Sequence, residues 1–186
     1  GDDPTVAVMR ITDKKQVHLM TGPAEKPEDD RTMVGDFLQG RDTVKRIVCG
    51  GTSANIVSRI TGRKLSVPLD YQDPDLPPVA FMEGIDIVTE GVLTLNRVVQ
   101  LVKRFLHSEG VTEEFFLELD KPNGGSMVAK TIIEECTELD LYVGKAVNSA
   151  YQNPGIPFDL GIRQNLVEQL KAAAEKMGKT VTVTYY

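Results

Sequence analysis

Four apolar segments of this 186-residue chain end in the same way, at a glycine beside threonine or lysine. They are residues 17–23 (VHLMTGP), 46–52 (RIVCGGT), 85–91 (IDIVTEG) and 141–145 (LYVGK). Each run is typical of a buried strand, and helix-type sequence follows each of them. The carboxyl ends of parallel strands share one edge of a sheet, where the ligands of α/β proteins bind. The pattern therefore constrains both the fold class and the position of a site.

Alternation of strands with helices predicts an α/β fold. Strands are expected to begin near Gln16, Arg46, Ile85, Asp140 and Thr180. This order predicts a single three-layer domain with a mainly parallel, Rossmann-like sheet and helices on both faces. Residues 5–11 (TVAVMRI) alternate like a strand. They are expected to form an N-terminal hairpin that adds one antiparallel edge strand.

Helical periodicity places the helices between these strands. Helices are expected over residues 29–38, from a cap at Thr52 or Ser53 to a stop at Gly62, over residues 92–106 and 113–119, after a cap at Ser126, and over residues 161–177. The last helix is expected to turn Ile162, Leu166, Leu170, Ala173 and Met177 inward. Residues 67–78 contain four prolines and are expected to form a loop.

The composition limits the partners of this chain. The formal net charge is -6, which argues against a nucleic-acid surface because phosphate contacts need clustered lysine and arginine. No apolar run is long enough to span a membrane, so a membrane is not an expected partner. Cys49 and Cys136 lack neighbours at metal-ligand spacing and are expected to be buried free thiols of a reducing compartment. A cytoplasmic location is the corresponding expectation.

The segment Cys49-Gly50-Gly51-Thr52-Ser53 is the best candidate for an anion site. Two glycines and two hydroxyls at a helix start can present N–H groups to a phosphate-like oxyanion. The segment lacks the lysine of a P-loop, so a tight turn with an ordinary cap remains the alternative. The full set of expected ligand-binding residues is Gly22, Gly50, Gly51, Thr52, Ser53, Glu90, Gly91 and Lys145.

The two charged members of this set each have a second interpretation. Glu90 can bind a sugar hydroxyl or act as a base, but it can also simply cap the following helix. Lys145 can pair with an anion or remain a solvated surface lysine.

Residues 1–11 (GDDPTVAVMRI) place an Asp-Asp-x-Thr stretch before a hydrophobic strand. This stretch resembles the last metal-binding motif of the type-2C metal-dependent protein phosphatases, and most closely that of their bacterial branch, the stage II sporulation protein E family. In that family the first aspartate of the motif helps to bind a Mn²⁺ or Mg²⁺ ion that activates the attacking water. The resemblance implies this role for Asp2.

Further segments resemble the C-terminal extension of one subgroup of these phosphatases. They are residues 47–52 (IVCGGT), 77–78 (PP), 83–95 (EGIDIVTEGVLTL) and 151–154 (YQNP). The resemblance implies that residues 1–15 are the tail of a catalytic domain and that residues 16–186 form an accessory domain. One carboxylate cannot hold a two-metal site, so no catalytic residue is expected within the chain.

Three functions follow as hypotheses. The first is a regulatory, ligand-sensing domain behind a metal-dependent phosphatase whose substrate is a phosphoserine or phosphothreonine protein. The second is an enzyme or binding domain for a nucleotide or sugar phosphate, with Glu90 or Lys145 in the chemistry. The third is an interaction module in which an edge strand or an apolar helix face makes a homodimer. An anionic small molecule is the expected ligand of the first two.

Overall fold

The computed structural model describes residue 9 and residues 13–67, 79–146 and 158–186. The strands in these residues are β1 (Gln16–Thr21), β2 (Lys45–Cys49), β3 (Leu65–Ser66), β4 (Ala80–Met82), β5 (Ile85–Thr89), β6 (Glu138–Val143) and β7 (Thr180–Tyr185). They form one sheet in the order β3-β4-β5-β2-β1-β6-β7. All neighbouring pairs from β5 to β7 are parallel, which confirms the mainly parallel sheet.

The antiparallel part of the sheet is formed by β3 and β4. Strand β3 pairs antiparallel with β4, and β4 pairs antiparallel with β5. Gly84, with φ of 73°, makes the tight turn between β4 and β5. The antiparallel strand expected from residues 5–11 lies outside the described residues, apart from Met9, which is not in a strand. Both sides of β1 are occupied by the parallel partners β2 and β6.

The helices lie where periodicity placed them. They are α1 (Asp30–Leu38), α2 (Gly51–Thr61), α3 (Val92–Leu106), α4 (Glu113–Leu119), α5 (Gly124–Glu134) and α6 (Phe158–Lys176). Helix α2 ends at Gly62 in the left-handed region, as expected of a glycine stop.

Two helix caps differ from the prediction. Helix α2 already begins at Gly51, with Gly50 as its N-cap, so Thr52 and Ser53 lie inside the first turn. Helix α5 is capped by Asn123, whose side chain accepts a 2.9 Å hydrogen bond from the Ser126 N–H. Both helices begin at a glycine because the residue before it has the non-helical backbone that an N-cap requires.

The sheet has a hydrophobic core on each face because successive strand residues point to opposite sides. Leu19 and Ile47 pack on the side of α3, α4, α5 and α6, whereas Met20 and Val48 pack on the side of α1 and α2. The chain passes from β1 to β2 through α1 on one face of the sheet. It passes from β6 to β7 through α6 on the other face. The boundary between β1 and β6 is therefore the point where the topology reverses.

Helix α6 buries Leu166, Leu170 and Ala173 as expected, but its first turn differs from the prediction. Ile162 was expected to be inward but is 40% exposed, whereas the neighbouring Arg163 is only 6% exposed. The buried positions of this helix include Val167, Leu170 and Ala174, which lie four, seven and eleven residues after Arg163. The helix therefore aims an arginine at the carboxyl end of the sheet.

We expect Gly144→Ala to destabilise the protein far more than Gly161→Ala. A methyl group on Gly144 would overlap the carbonyl group of Pro23, whereas one on Gly161 meets no atom within 4 Å in the part of the chain that the structure describes. Overpacking typically costs about 1–3 kcal/mol, and backbone atoms cannot move aside as the end of a flexible side chain can. Alanine at position 161 should stabilise helix α6 by about 0.5–1 kcal/mol. Urea unfolding of the two variants checks this, and equal midpoints would contradict the tight packing at Gly144.

Candidate functional site

The glycine-containing turns lie at one edge of the sheet. Strands β5, β2, β1 and β6 are neighbours and run in the same direction, so their carboxyl ends are adjacent. Thr21 pairs with Cys49 in the register of β1 and β2, so the turns at Gly22 and Gly50 begin side by side. The ligand-binding role of these residues stays a prediction.

The turns after β2 and β5 pack against each other through their glycines. The N–H of Gly50 donates a 2.8 Å hydrogen bond to the carbonyl oxygen of Thr89. A Cβ atom on Gly50 would lie 3.7 Å from Cα of Gly91, and one on Gly91 would lie 3.5 Å from Cα of Gly50. Gly50 also has φ of 126°, which L side chains rarely adopt. The turn therefore requires glycine at position 50.

Helix α2 starts at this turn with N–H groups that have no intrahelical acceptor. The first backbone bond of the helix runs from the N–H of Ala54 to the carbonyl oxygen of Gly50, at 2.9 Å. The N–H groups of Gly51, Thr52 and Ser53 precede it and point out of the helix end. Together with the aligned peptide dipoles, they place partial positive charge at the turn.

Ser53 adds a hydroxyl to the same helix end. Its side chain is 1% exposed, and its Oγ has no hydrogen-bond partner among the described residues. Oγ lies 3.4 Å from the position that a Cβ atom on Gly50 would occupy, so it is directed over the N-cap residue. A buried hydroxyl without a partner costs free energy. It is a buried polar side-chain atom at this helix end to which the described residues supply no hydrogen-bond partner.

The turn is open to solvent on its outer side. Gly51 and Thr52 are exposed, and a Cβ atom on Gly51 would meet no atom of the described residues within 4 Å. Glu90 is exposed beside it, and Thr89 Oγ1 is occupied by a 2.9 Å hydrogen bond to the carbonyl oxygen of Glu90. A small anion can therefore approach Gly51 without displacing atoms of residues 13–67, 79–146 or 158–186.

The turn of Gly22, in contrast, is closely packed at the point where the topology reverses. Gly22 has φ of 77°, and a Cβ atom there would lie 2.6 Å from Nη1 of Arg163 and 2.8 Å from the carbonyl oxygen of Gly144. The N–H of Gly144 donates to Thr21, and that of Ala146 donates to Pro23, at 2.9 and 3.1 Å. Backbone and the Arg163 side chain thus occupy the space between these two turns.

Lys145 lies two strands away from the Gly50 turn. Its N–H donates a 2.8 Å hydrogen bond to the carbonyl oxygen of Tyr186, next to β7. Its Nζ is 3.5 Å from the carboxylate of Glu25. With neighbouring strands about 4.8 Å apart, the structure does not bring Lys145 to the Gly50 turn. The charged group near Lys145 is therefore the carboxylate of Glu25, where a ligand anion was predicted.

Arg163 is a buried charged residue at this edge that the sequence interpretation missed. Its Nη1 donates to the carbonyl oxygens of Gly144 and Ala146 at 3.3 and 3.4 Å. The available signal was the paired pattern Leu166-Val167 and Ala173-Ala174, which centres the buried face of α6 between each pair. Extending that face towards the helix start reaches Arg163.

A cavity of about 310 Å³ lies elsewhere, between α5 and the amino ends of β2 and β5. Its charged lining is already paired within the protein. Lys45 forms an ion pair with Glu135, and Lys130 forms one with Asp120. Asp86 accepts a 2.7 Å hydrogen bond from the N–H of Arg46. These groups balance one another, so the cavity does not select an anion.

Comparisons with known proteins add no assignment. The chain shows no significant match to a protein-family model, to a curated protein or to a solved structure. Asp2, the expected metal ligand, lies outside the described residues. Within residues 13–67, 79–146 and 158–186, no three His, Cys, Asp or Glu side chains are grouped as metal ligands. The described helices include none with the length and apolar character to cross a membrane.

The two cysteines are free and buried, as expected. Burial raises the pKa of the Cys49 thiol from 9.0 to about 11, although the hydrogen bond between Cys49 and Thr89 partly opposes the shift. Cys49 directly precedes Gly50, so its burial shows that the chain is closely packed beneath the candidate site. A thiol with this pKa is a poor nucleophile near neutral pH.

We expect alkaline pH to weaken the protein partly through Cys49. Above about pH 9 the unfolded chain loses the Cys49 proton while the folded chain keeps it, so the free energy of unfolding falls as pH rises towards 11. At about pH 10 the loss from this group should be on the order of 1 kcal/mol. Urea unfolding of the wild type and Cys49→Ala between pH 8 and pH 10 checks this, and parallel pH dependences would contradict it.

Proposed function

We propose that this chain is a regulatory, ligand-binding α/β domain that holds an oxyanion at the start of α2. The observation that carries the proposal is the buried, unpartnered hydroxyl of Ser53. It accompanies three free N–H groups at the start of an 11-residue helix. An anion placed there receives several hydrogen bonds and relieves the cost of the unsatisfied hydroxyl.

The chemistry of the turn favours a phosphate-like group. The donors are backbone N–H groups and one hydroxyl, so the ligand must supply acceptor oxygens. A tetrahedral phosphate has several such oxygens, so it can accept hydrogen bonds from donors that point in different directions. Glu90 is exposed beside the turn and can accept hydrogen bonds from hydroxyls of the same ligand. A phosphate ester of a sugar or a nucleoside combines both features.

The resemblance of residues 1–11 to a phosphatase motif supplies the proposed context. In this proposal a metal-dependent serine/threonine phosphatase precedes the domain, and ligand binding at α2 modulates its action on a phosphoprotein. Mn²⁺ or Mg²⁺ chemistry belongs to that catalytic domain, to which Asp2 contributes one carboxylate. The cytoplasmic location expected from composition fits a phosphate ester of metabolism as ligand.

We expect inorganic phosphate to shift the amide NMR signals of Gly51, Thr52 and Ser53 in the isolated chain. Ser53→Ala removes one hydrogen bond to a charged group, which should weaken binding about tenfold. The same substitution should raise the stability of the ligand-free protein by about 1 kcal/mol, because it removes the unsatisfied hydroxyl. Ser66→Ala is the control, since Ser66 is an exposed serine on β3.

Gly51→Val provides a second variant of the same site. Its side chain enters the open space at the turn and should abolish phosphate binding while the fold is retained. Gly161→Val is its matched control, because Gly161 also lies near a helix start with no atom within 4 Å of its Cβ position. Signal shifts that are confined to another region, or that survive Gly51→Val, would contradict the proposal. Ribose 5-phosphate and glucose 6-phosphate then test for a contribution of Glu90.

We expect the isolated chain with Mn²⁺ to hydrolyse neither a phosphoserine peptide nor an aryl phosphate. The reason is that a single carboxylate cannot assemble the two-metal site that activates water. A phosphate-release assay with and without Mn²⁺ checks this. Metal-dependent turnover that disappears in Asp2→Ala would favour a catalytic function for this chain instead.

A further inference from the structure

Strand β7 is an open edge of the sheet. It pairs with β6 along its full length, without a bulge, and has no strand on its other side among the described residues. Its sequence, TVTVTY, contains no charge and no proline. Soluble proteins usually protect such edges with a lysine, a proline, a bulge or a very short strand. This six-residue edge has none of these protections, so its backbone groups are suited to pair with another strand.

The outward-facing backbone groups of β7 follow from its bonds to β6. The N–H of Thr180 donates to Thr137 and that of Tyr186 donates to Val143, both at 3.0 Å. Because backbone direction alternates along a strand, the even-numbered residues face β6. The N–H and carbonyl groups of Val181, Val183 and Tyr185 consequently face outward along the open edge.

We infer that the partner of this edge is a second copy of the chain, paired antiparallel through β7 about a two-fold axis at Val183. In this register Val183 lies opposite its own copy, Val181 lies opposite Tyr185, and Thr182 lies opposite Thr184. Each outward N–H then meets an outward carbonyl of the partner strand. The two sheets become one continuous sheet across the dimer.

The composition of β7 favours a second copy over an unrelated peptide. A two-fold pairing places each residue opposite a residue of the same strand, so any charge would meet a like charge nearby. The paired stretch contains only threonine, valine and tyrosine, and β-branched residues opposite each other stabilise a sheet. Lys179 lies outside this stretch and donates a 2.6 Å hydrogen bond to the carbonyl oxygen of Cys136.

The side chains along the edge are arranged for the same contact. Thr182 and Thr184 are exposed on one face, while Val181 and Val183 are half-buried on the side of α6. Tyr185 is held over α6 by a 2.8 Å hydrogen bond from its hydroxyl to Glu168. The dimer edge is three strands from β2, so it leaves the Gly50 turn accessible. The inference is independent of phosphate binding.

Three charge variants test the register. Thr182→Lys with Thr184→Lys places lysine opposite lysine across the two-fold axis. Thr182→Lys with Thr184→Glu places lysine opposite glutamate in the same two exposed positions. Thr182→Glu with Thr184→Glu places glutamate opposite glutamate. Because both residues are exposed, circular dichroism and phosphate binding should be unchanged in all three.

Sedimentation analysis of the full chain is expected to show a dimer for the wild type and for the lysine–glutamate variant. The double-lysine and double-glutamate variants should dimerise at least about tenfold more weakly, and an equimolar mixture of the two should form heterodimers. Val183→Pro removes an outward N–H without breaking a bond to β6 and should also give a monomer. A monomeric wild type, or a dimer that persists in both double-lysine and Val183→Pro variants, would overturn the inference.

Discussion

The two-sided pairing of β1 is the constraint on which the remaining structure depends. With β2 on one side and β6 on the other, both parallel, β1 aligns the carboxyl ends of four strands at one edge. The same pairing creates the reversal of topology between β1 and β6. The geometry of the candidate site therefore depends on the turns that follow these strands.

The carboxyl edge is divided into two parts that use glycine differently. At the reversal point Gly22 and Gly144 let two backbones and Arg163 pack together, which closes the space where many α/β proteins hold their ligand. One strand away, Gly50 and Gly91 also touch, but the helix that follows leaves its first N–H groups open. The open N–H groups of this edge thereby lie at the start of α2 and not at the reversal point.

The two ends of the sheet serve different proposed purposes. At one end, β3 and β4 are short and antiparallel, and β5 lies beside β2, which leads into the Gly50 turn. At the other end, β7 is long, uncharged and open. A dimer formed through β7 would place two anion sites far apart on one extended sheet. Such an arrangement would let a regulatory domain bring two attached catalytic domains together without covering its own ligand site.

The sequence by itself determined the parallel strands, the helices between them and the residues at the strand ends. Apolar runs followed by glycine at residues 22, 50, 91 and 144 carry this information locally, because strand and turn propensities depend on neighbouring residues. The short strands β3 and β4 were not predicted, since two or three residues contain too little periodic pattern. Their pairing comes from contact with β5.

Tertiary structure alone decided which of the strand-end residues share a site. Lys145 and Gly50 belong to the same sequence pattern, yet Lys145 lies beside Glu25 and Tyr186, two strands from β2. Arg163 lies at this edge because the buried face of α6 also includes Val167 and Ala174 and leaves Ile162 exposed. Strand order and helix rotation are set by long-range packing, so spacing in the sequence cannot specify them.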